Sequence, residues 1–504
     1  MNRQPNILLI CSDQHSPHVC GCYGNTIVET PNLDRLAREG TRFSSAYCND
    51  PICVPSRMSF LTGRYPFRIE VLGNGSMLDS RIPTYAHLLS GAGYHTVLSG
   101  RMHFMGPDQR HGFLERLVGD VGPYAMLGTS TNRWSPLPPD LGHMEKPAPL
   151  LTVGPGSTVN LDFDRDVTQA AREWIHSYAE RGAPRPFMMT VGYINPHCAY
   201  IAPPELYEKY TGRVNVNRSL AEKRLRLHPS HQAHIERTTA GVPRDNLTKA
   251  TTAYYGLVDF IDQQVGKLLK TIEERELLDN TIIVYFSDHG EMLGEHGRWH
   301  KGCFFEGSAG VPLIVRVPGQ PHERQGQTIP AVVSLIDLLP TLADWAGTDV
   351  PFETDGHSLV PLITGNAPEW KDEARSEYYS AGELNRMIRQ GDWKYCYYAQ
   401  DGEAELYNLR EDPQEQHNRA GDPECQDVVA ELRERVIDDG WGAEARAQIA
   451  EKLRGLAYYE MLGRCRRNLE DDPLVGSVPD DWRPPSGLRN YLCEQVGPDR
   501  PPNR

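Results

Sequence analysis

The stretch Cys53-Val54-Pro55-Ser56-Arg57-Met58-Ser59-Phe60-Leu61-Thr62-Gly63-Arg64 sets a cysteine two residues before a proline and four before an arginine. A cysteine attacks as its thiolate, and a cation one helical turn away is one means of lowering the thiol pKa. Two apolar runs far apart in the chain end in Ser12-Asp13-Gln14-His15 and in Ser287-Asp288-His289-Gly290-Glu291. Two carboxylates, an amide oxygen and an imidazole, if brought together, can hold a hard divalent cation. Taken singly, an aspartate after a strand is as readily a helix or turn cap. Further runs end in Gly100-Arg101-Met102-His103 and Asn195-Pro196-His197, and His296, His300 and Lys301 lie close together. Cations and imidazoles at several strand ends suit oxyanion binding and protonation of a leaving group. Alone, Arg101 and Lys301 would read as solvated surface charges. A bare thiolate is a poor match for an oxygen-preferring cation, so the residues by themselves leave the role of Cys53 open.

The elements that must position these groups follow from the apolar pattern. Short apolar runs at residues 7–11, 94–99, 187–193, 281–286 and 313–317 alternate with amphipathic stretches, which predicts a mostly parallel sheet with helices on both faces. Ligands in such sheets gather at the carboxyl ends of the strands, where the polar clusters sit. Thr30-Pro31 before NLDRLAREG supplies an N-cap, a proline at the first helical position and a stop at Gly40. The longest helix is expected over residues 246–278, with Leu257, Ile261, Val265 and Leu268 on one side. After Gly365 the texture becomes that of paired antiparallel strands, then helical from Gln426 to about Arg467, then rich in Pro and acid. The expected organisation is a catalytic α/β unit at 1–368, a small antiparallel subdomain at 369–425 and a helix with a tail at 426–504. That tail is expected either to pack on its own domain or on another subunit, which would make a homo-oligomer, or to form a loosely ordered end.

The 504 residues carry a formal net charge of −15, which argues against a nucleic-acid partner. No run nears the roughly 18 apolar residues needed to cross a bilayer. Asn6 to Asp13 is too short for the apolar part of a signal peptide and reads as a buried strand. The 11 cysteines are scattered without a disulfide framework, so a reducing, cytoplasmic setting is expected, with most of them, Cys198 included, as small buried fillers. Cys20-Gly21-Cys22 has a spacing that could hold a soft metal but lacks a second pair nearby.

CVPSRMSFLTGR resembles the sulfatase signature C-x-P-S-R-x-x-x-L-T-G-R, and GYHTVLSGRMH resembles the second signature of that family. The likeness continues through SDHGEMLGEHG, KGCFFEGSAGVPLIV and DGHSLVPLITG to ELYNLREDP, over about residues 5 to 415. The resemblance implies an alkaline phosphatase-like α/β/α sandwich with a large, mostly parallel sheet and a smaller C-terminal antiparallel sheet. It also implies that a formylglycine-generating enzyme, reading C-x-P-x-R, converts Cys53 to formylglycine, an aldehyde whose hydrate has two geminal hydroxyls. One hydroxyl attacks sulfur and displaces the alcohol; the second collapses to the aldehyde and expels sulfate. By the same resemblance Asp13, Gln14, Asp288, His289 and an oxygen of modified Cys53 are the metal ligands. Arg57 would hold the hydrate, and Arg101, His103 and Lys301 would contact hydrate and sulfate. His103 would act as base for sulfate release and His197 as proton donor to the leaving oxygen.

Gln14 and His289 stand where arylsulfatases of the lysosomal type have Asp and Asn, and Arg101 replaces a lysine. These choices resemble the choline-sulfatase-like and phosphonate monoester hydrolase-like branches. They keep Ca²⁺ foremost, with Mn²⁺ or Mg²⁺ as alternatives. The expected substrate is a small organic or aryl sulfate ester. The rivals are a phosphonate monoester or phosphodiester, whose charged tetrahedral shape is similar, and a carbohydrate sulfate. An inactive relative would need a broken site, and every expected position holds a usable residue. Segments 108–134 and 197–243, with Tyr124, Trp134 and Tyr200, are expected to wall the substrate pocket.

Overall fold

A computed structural model describes residues 4–120, 148–214, 216, 227–367, 369–380 and 383–438. Strand β1 (Asn6–Asp13) is buried along its whole length. Its side chains alternate between two cores, Ile7, Leu9 and Cys11 on one side and Leu8 and Ile10 on the other. A continuous apolar run is what a strand covered on both faces requires.

The other strands are β2 (Thr41–Tyr47), β3 (His95–Gly100), β4 (Glu115–Val118), β5 (Gly154–Pro155), β6 (Phe187–Pro196), β7 (Ile201–Ala202), β8 (Thr281–Ser287), β9 (Leu313–Arg316) and β10 (Gln327–Ser334). Eight of them form one sheet in the order β10-β2-β9-β8-β1-β6-β3-β4, and β5 pairs only with β7. Within the large sheet β9 alone runs antiparallel to its neighbours β2 and β8. Helices Cys53–Thr62, Tyr85–Gly91 and Leu338–Ala346 cover one face. Helices Pro31–Glu39, Val159–Glu180 and Arg244–Glu274 cover the other, completing the expected α/β/α sandwich. Thr30 stands at the N-cap of the first of these, yet its side chain makes no capping hydrogen bond. Strands β2, β4 and β10 were not legible as apolar runs. They lie toward the two ends of the strand order and carry exposed or half-exposed positions, so their sequences TRFSSAY, ERLV and QTIPAVVS stay mixed.

A second sheet of β11 (Glu373–Ser380), β12 (Glu383–Gln390), β13 (Trp393–Tyr397) and β14 (Ala404–Asn408) is antiparallel throughout, as the paired-strand pattern anticipates. Helix Gln426–Arg433 follows it. The expected tail beyond residue 438 lies outside the described residues. Among those described, no helix is long and apolar enough to cross a membrane.

Lys394 of β13, whose side chain is fully buried, ties the second sheet to the segment between β8 and β9. Its Nζ donates to the Phe304 carbonyl and to Glu306 Oε1, each at 2.7 Å, and also pairs with Glu415. Glu415 in turn accepts the Glu306 N–H at 2.7 Å. Replacing the lysine leaves the buried Glu415 carboxylate beside Glu306, which is partly exposed and has Arg389 as its remaining nearby cation. Lys394→Met is therefore expected to lower the unfolding free energy by about 3–5 kcal/mol, read from urea denaturation midpoints at constant m-value.

Candidate active site

Strands β1 and β8 are neighbours in parallel register, with Ser12 opposite Ser287, so the residues after them emerge at one edge. Gln14 takes a left-handed backbone (φ 68°), and its N–H donates to Asp288 Oδ1 at 3.1 Å, which locks the two strand ends together. Cys53 is the first residue of helix Cys53–Thr62, all of it buried, and the helix delivers the cysteine to the same place. A helix start favours negative charge at this position. Cys53 Sγ lies 3.2 Å from His289 Nε2, 3.1 Å from Lys301 Nζ and 3.6 Å from Asp13 Oδ1. Burial raises the Cys53 thiol pKa, but Lys301 and His289, with hydrogen bonds from His103 and His197, outweigh it and hold the group well below the thiol range.

The two carboxylates share one guanidinium. Arg57 Nε donates to Asp288 Oδ2 at 2.7 Å, Nη2 to Asp13 Oδ2 at 3.1 Å, and Nη1 to the Arg101 carbonyl at 2.8 Å. Three of its five N–H groups are thus used, and Arg57 fixes both carboxylates beneath residue 53. Arg101 adds to the same frame: Nε donates to Asp13 Oδ2 at 2.7 Å and Nη2 to His103 Nδ1 at 3.0 Å. Burial pushes Asp13 up, yet Arg101, His197 and Arg57 bring it below the carboxylate range. Asp288 goes the other way, raised by burial more than Arg57 lowers it.

A guanidinium cannot accept a hydrogen bond, so His103 Nδ1 accepts from Arg101 and the ring proton resides on Nε2. Burial and Arg101 both lower the His103 pKa, keeping the ring neutral. With the ring proton on Nε2, His103 offers a donor at that atom, where the resemblance implies a base. His289 is oriented oppositely. Its Nδ1 lies 3.0 Å from the Gly290 carbonyl, which can only accept, so in the neutral ring the lone pair is on Nε2, the atom 3.6 Å from both Asp13 Oδ1 and Asp288 Oδ1.

His197 follows β6 and is carried by a loop tied to buried Asp164, which accepts the Ile194 and Asn195 N–H groups at 2.9 Å. Its neighbour Cys198 is half-exposed rather than a buried filler. Burial raises the Cys198 thiol, but His197 and His300 bring it down to about 5. Burial lowers the His197 pKa, and the Cys198 thiolate overcomes this to carry it up to about 10.

Lys301 Nζ donates to Gln14 Oε1 at 2.6 Å. The other end of that amide donates to Glu291, a buried carboxylate to which sequence reasoning gave no role. Glu291 also accepts the His300 N–H at 2.7 Å and the Tyr200 hydroxyl at 2.9 Å. Tyr200 is fully buried in this network and does not wall a pocket. The only signal for Glu291 in the sequence was its place three residues after Asp288, which does not separate it from a surface acid. Residues 121–134, with Tyr124 and Trp134, and residues 215 and 217–226 of the expected walls lie outside the described residues.

The ligating atoms of Asp13, Cys53, Asp288 and His289, all buried, lie within 4.8 Å of one another. Oxygen and nitrogen donors so spaced, two of them carboxylates, fit a divalent cation with bonds of about 2.3 Å. Here Cys53 Sγ occupies the place where a modified residue would present oxygen.

Residues 5–348 match the family described as Sulfatase. The chain belongs to the sulfatase family. Residues 294–440 of this sulfatase match a second description, N-sulphoglucosamine sulphohydrolase, C-terminal. It is 35% identical to the choline-sulfatase of Rhizobium meliloti (strain 1021), over 90% of this chain and 93% of that protein. An arylsulfatase of Clostridium perfringens is 28% identical over 89% and 97% of the two chains. Among solved structures, the phosphonate monoester hydrolase of Agrobacterium radiobacter superposes with a TM-score of 0.69 at 26% identity, over 88% of this chain and 96% of that one. The sulfatase is thus a sulfuric ester hydrolase.

Removing the Cys198 thiolate takes away the partner that keeps His197 protonated. Cys198→Ala is expected to move the alkaline limb of the kcat/KM pH profile of this sulfatase to lower pH, because the imidazolium is then lost sooner. An unmoved limb would show that the pair does not set the charge on His197.

Proposed function

We propose that this sulfatase cleaves sulfate monoesters of small organic or aryl alcohols with a formylglycine made from Cys53 by a formylglycine-generating enzyme. A divalent cation, Ca²⁺ foremost and Mn²⁺ or Mg²⁺ otherwise, would be held by Asp13, Gln14, Asp288, His289 and residue 53. One observation carries the reading. A single buried helix-start position faces carboxylates and the His289 lone pair on one side, and Lys301, His103 and His197 as donors on the other.

The bound cation would supply positive charge against the nucleophilic oxygen and the sulfate. Arg57 and Arg101 keep both carboxylates aimed, and the Glu291–Gln14–Lys301 chain fixes the amide oxygen and the ammonium. Lys301 and the His103 Nε2–H hold sulfate oxygens as charge shifts onto them. His197, protonated through the neutral range, gives its proton to the departing alcohol oxygen. The small-substrate reading is supported by the higher identity to the choline-sulfatase than to the arylsulfatase. A cytoplasmic setting, catalytic and β units divided near residues 368 and 425, and self-association through the tail belong to the same proposal.

The structural likeness to a phosphonate monoester hydrolase favours one second reading, in which the same nucleophile opens a phosphonate monoester or phosphodiester. A panel pairing 4-nitrophenyl sulfate and small alkyl sulfates with a phenyl phosphonate ester separates the two. The larger kcat/KM is expected for sulfate; a larger value for the phosphonate would reverse the assignment. Cys53→Ser, which forms no aldehyde hydrate, is expected to lose at least a thousandfold in turnover and to remain as a sulfated enzyme detectable by mass, a loss of roughly 4 kcal/mol of barrier lowering.

A further inference from the structure

The turn after β1 carries another group of ligating atoms. Cys20 and Cys22 flank Gly21, with their sulfurs 3.5 Å apart. The carboxylate of Asp34, on helix Pro31–Glu39, completes a set whose ligating atoms lie within 4.8 Å of one another. Cys20 is buried, whereas Cys22 and Asp34 are half-exposed.

The cluster is held by contacts that the helix does not need for itself. Thr30 spends its hydroxyl on this cluster: it accepts the Gly21 N–H at 2.9 Å and donates to Asp34 Oδ1 at 3.1 Å. Gly21 is required for the approach, since a Cβ there would stand 2.6 Å from Asp34 Oδ2 and 2.7 Å from Oδ1.

Two thiolates bound to one tetrahedral zinc at about 2.3 Å stand roughly 3.7 Å apart, close to the separation seen here, whereas a disulfide closes to about 2.05 Å and leaves the carboxylate without a part. Two thiolates and a carboxylate on a divalent ion leave one negative charge, and Arg42 is placed to offset it. Its guanidinium donates to the Cys22 carbonyl and lies over the Tyr23 ring, 4.9 Å from the centroid. A cavity of about 450 Å³, bordered by Cys22, Asp34, Arg38 and Arg42, gives the cluster an entry path and room for a water as fourth ligand.

We propose that Cys20, Cys22 and Asp34 bind a thiophilic divalent cation of the Zn²⁺ class, which clips the turn after β1 to helix Pro31–Glu39. The hard, oxygen-rich active site selects a different kind of ion, so the two sites are separable by metal.

Full-length protein is reduced, stripped with a chelator and titrated with Cd²⁺, whose thiolate charge-transfer absorption reports sulfur ligation. The absorption is expected to appear with one equivalent, to persist in Cys53→Ser, and to disappear or need roughly tenfold more Cd²⁺ in Cys22→Ser, Asp34→Asn and Gly21→Ala. In the wild-type chain, Zn²⁺ is expected to slow alkylation of Cys20 and Cys22 roughly tenfold or more, read peptide by peptide, so the test does not depend on any variant folding. Undiminished absorption in Asp34→Asn, alkylation indifferent to Zn²⁺, or a Cys20–Cys22 disulfide that takes up no metal after reduction would overturn the proposal.

Discussion

Asp13 and Asp288 enter one fully buried space from adjacent strands, and nothing else in the active site can be arranged until their charges are met. Two carboxylates about 4 Å apart repel by roughly 4 kcal/mol at an effective dielectric near 20, before the cost of taking each out of water. Arg57 meets part of this by bridging them, and Arg101 adds a second guanidinium to Asp13. Both cations are spent in doing so.

This constraint accounts for the architecture around it. The helix that starts at Cys53 also carries Arg57 one turn on, so a single element delivers Cys53 and the guanidinium that bridges Asp13 and Asp288. Lys301 sits on a segment secured to the same centre by Glu291, which holds the Gln14 amide and the His300 backbone together. The buried Lys394 joint then fixes the C-terminal sheet against residues 304–306, only a few positions beyond Lys301. The small sheet is thereby tied to the segment that carries Lys301.

The five apolar strands and the strand-end clusters were legible because burial on both faces leaves an unbroken apolar signature, and because charged residues straight after such strands have few structural uses in common. Side-chain direction was not. The family resemblance places Arg57 and Arg101 beside Cys53, but only the fold shows that both face carboxylates. Nor does it give the His103 tautomer, which depends on a guanidinium two residues away in the chain. Cys198 and Glu291 were passed over because a small thiol and a lone acid have many bland uses. Their significance lies in partners brought near by strands distant in sequence.

The central claim is that Asp13, Gln14, Asp288, His289 and an oxygen-bearing residue 53 surround one divalent cation. Diffraction from crystals of protein matured in its native host, with anomalous data to identify the ion, tests it directly. The account predicts one anomalous peak within ligand distance of all five residues and electron density for a hydrated aldehyde at residue 53. An unmodified Cys53 thiol, with Asp13 and Asp288 neutralised by Arg57 and Lys301 alone and no ion between them, would contradict it.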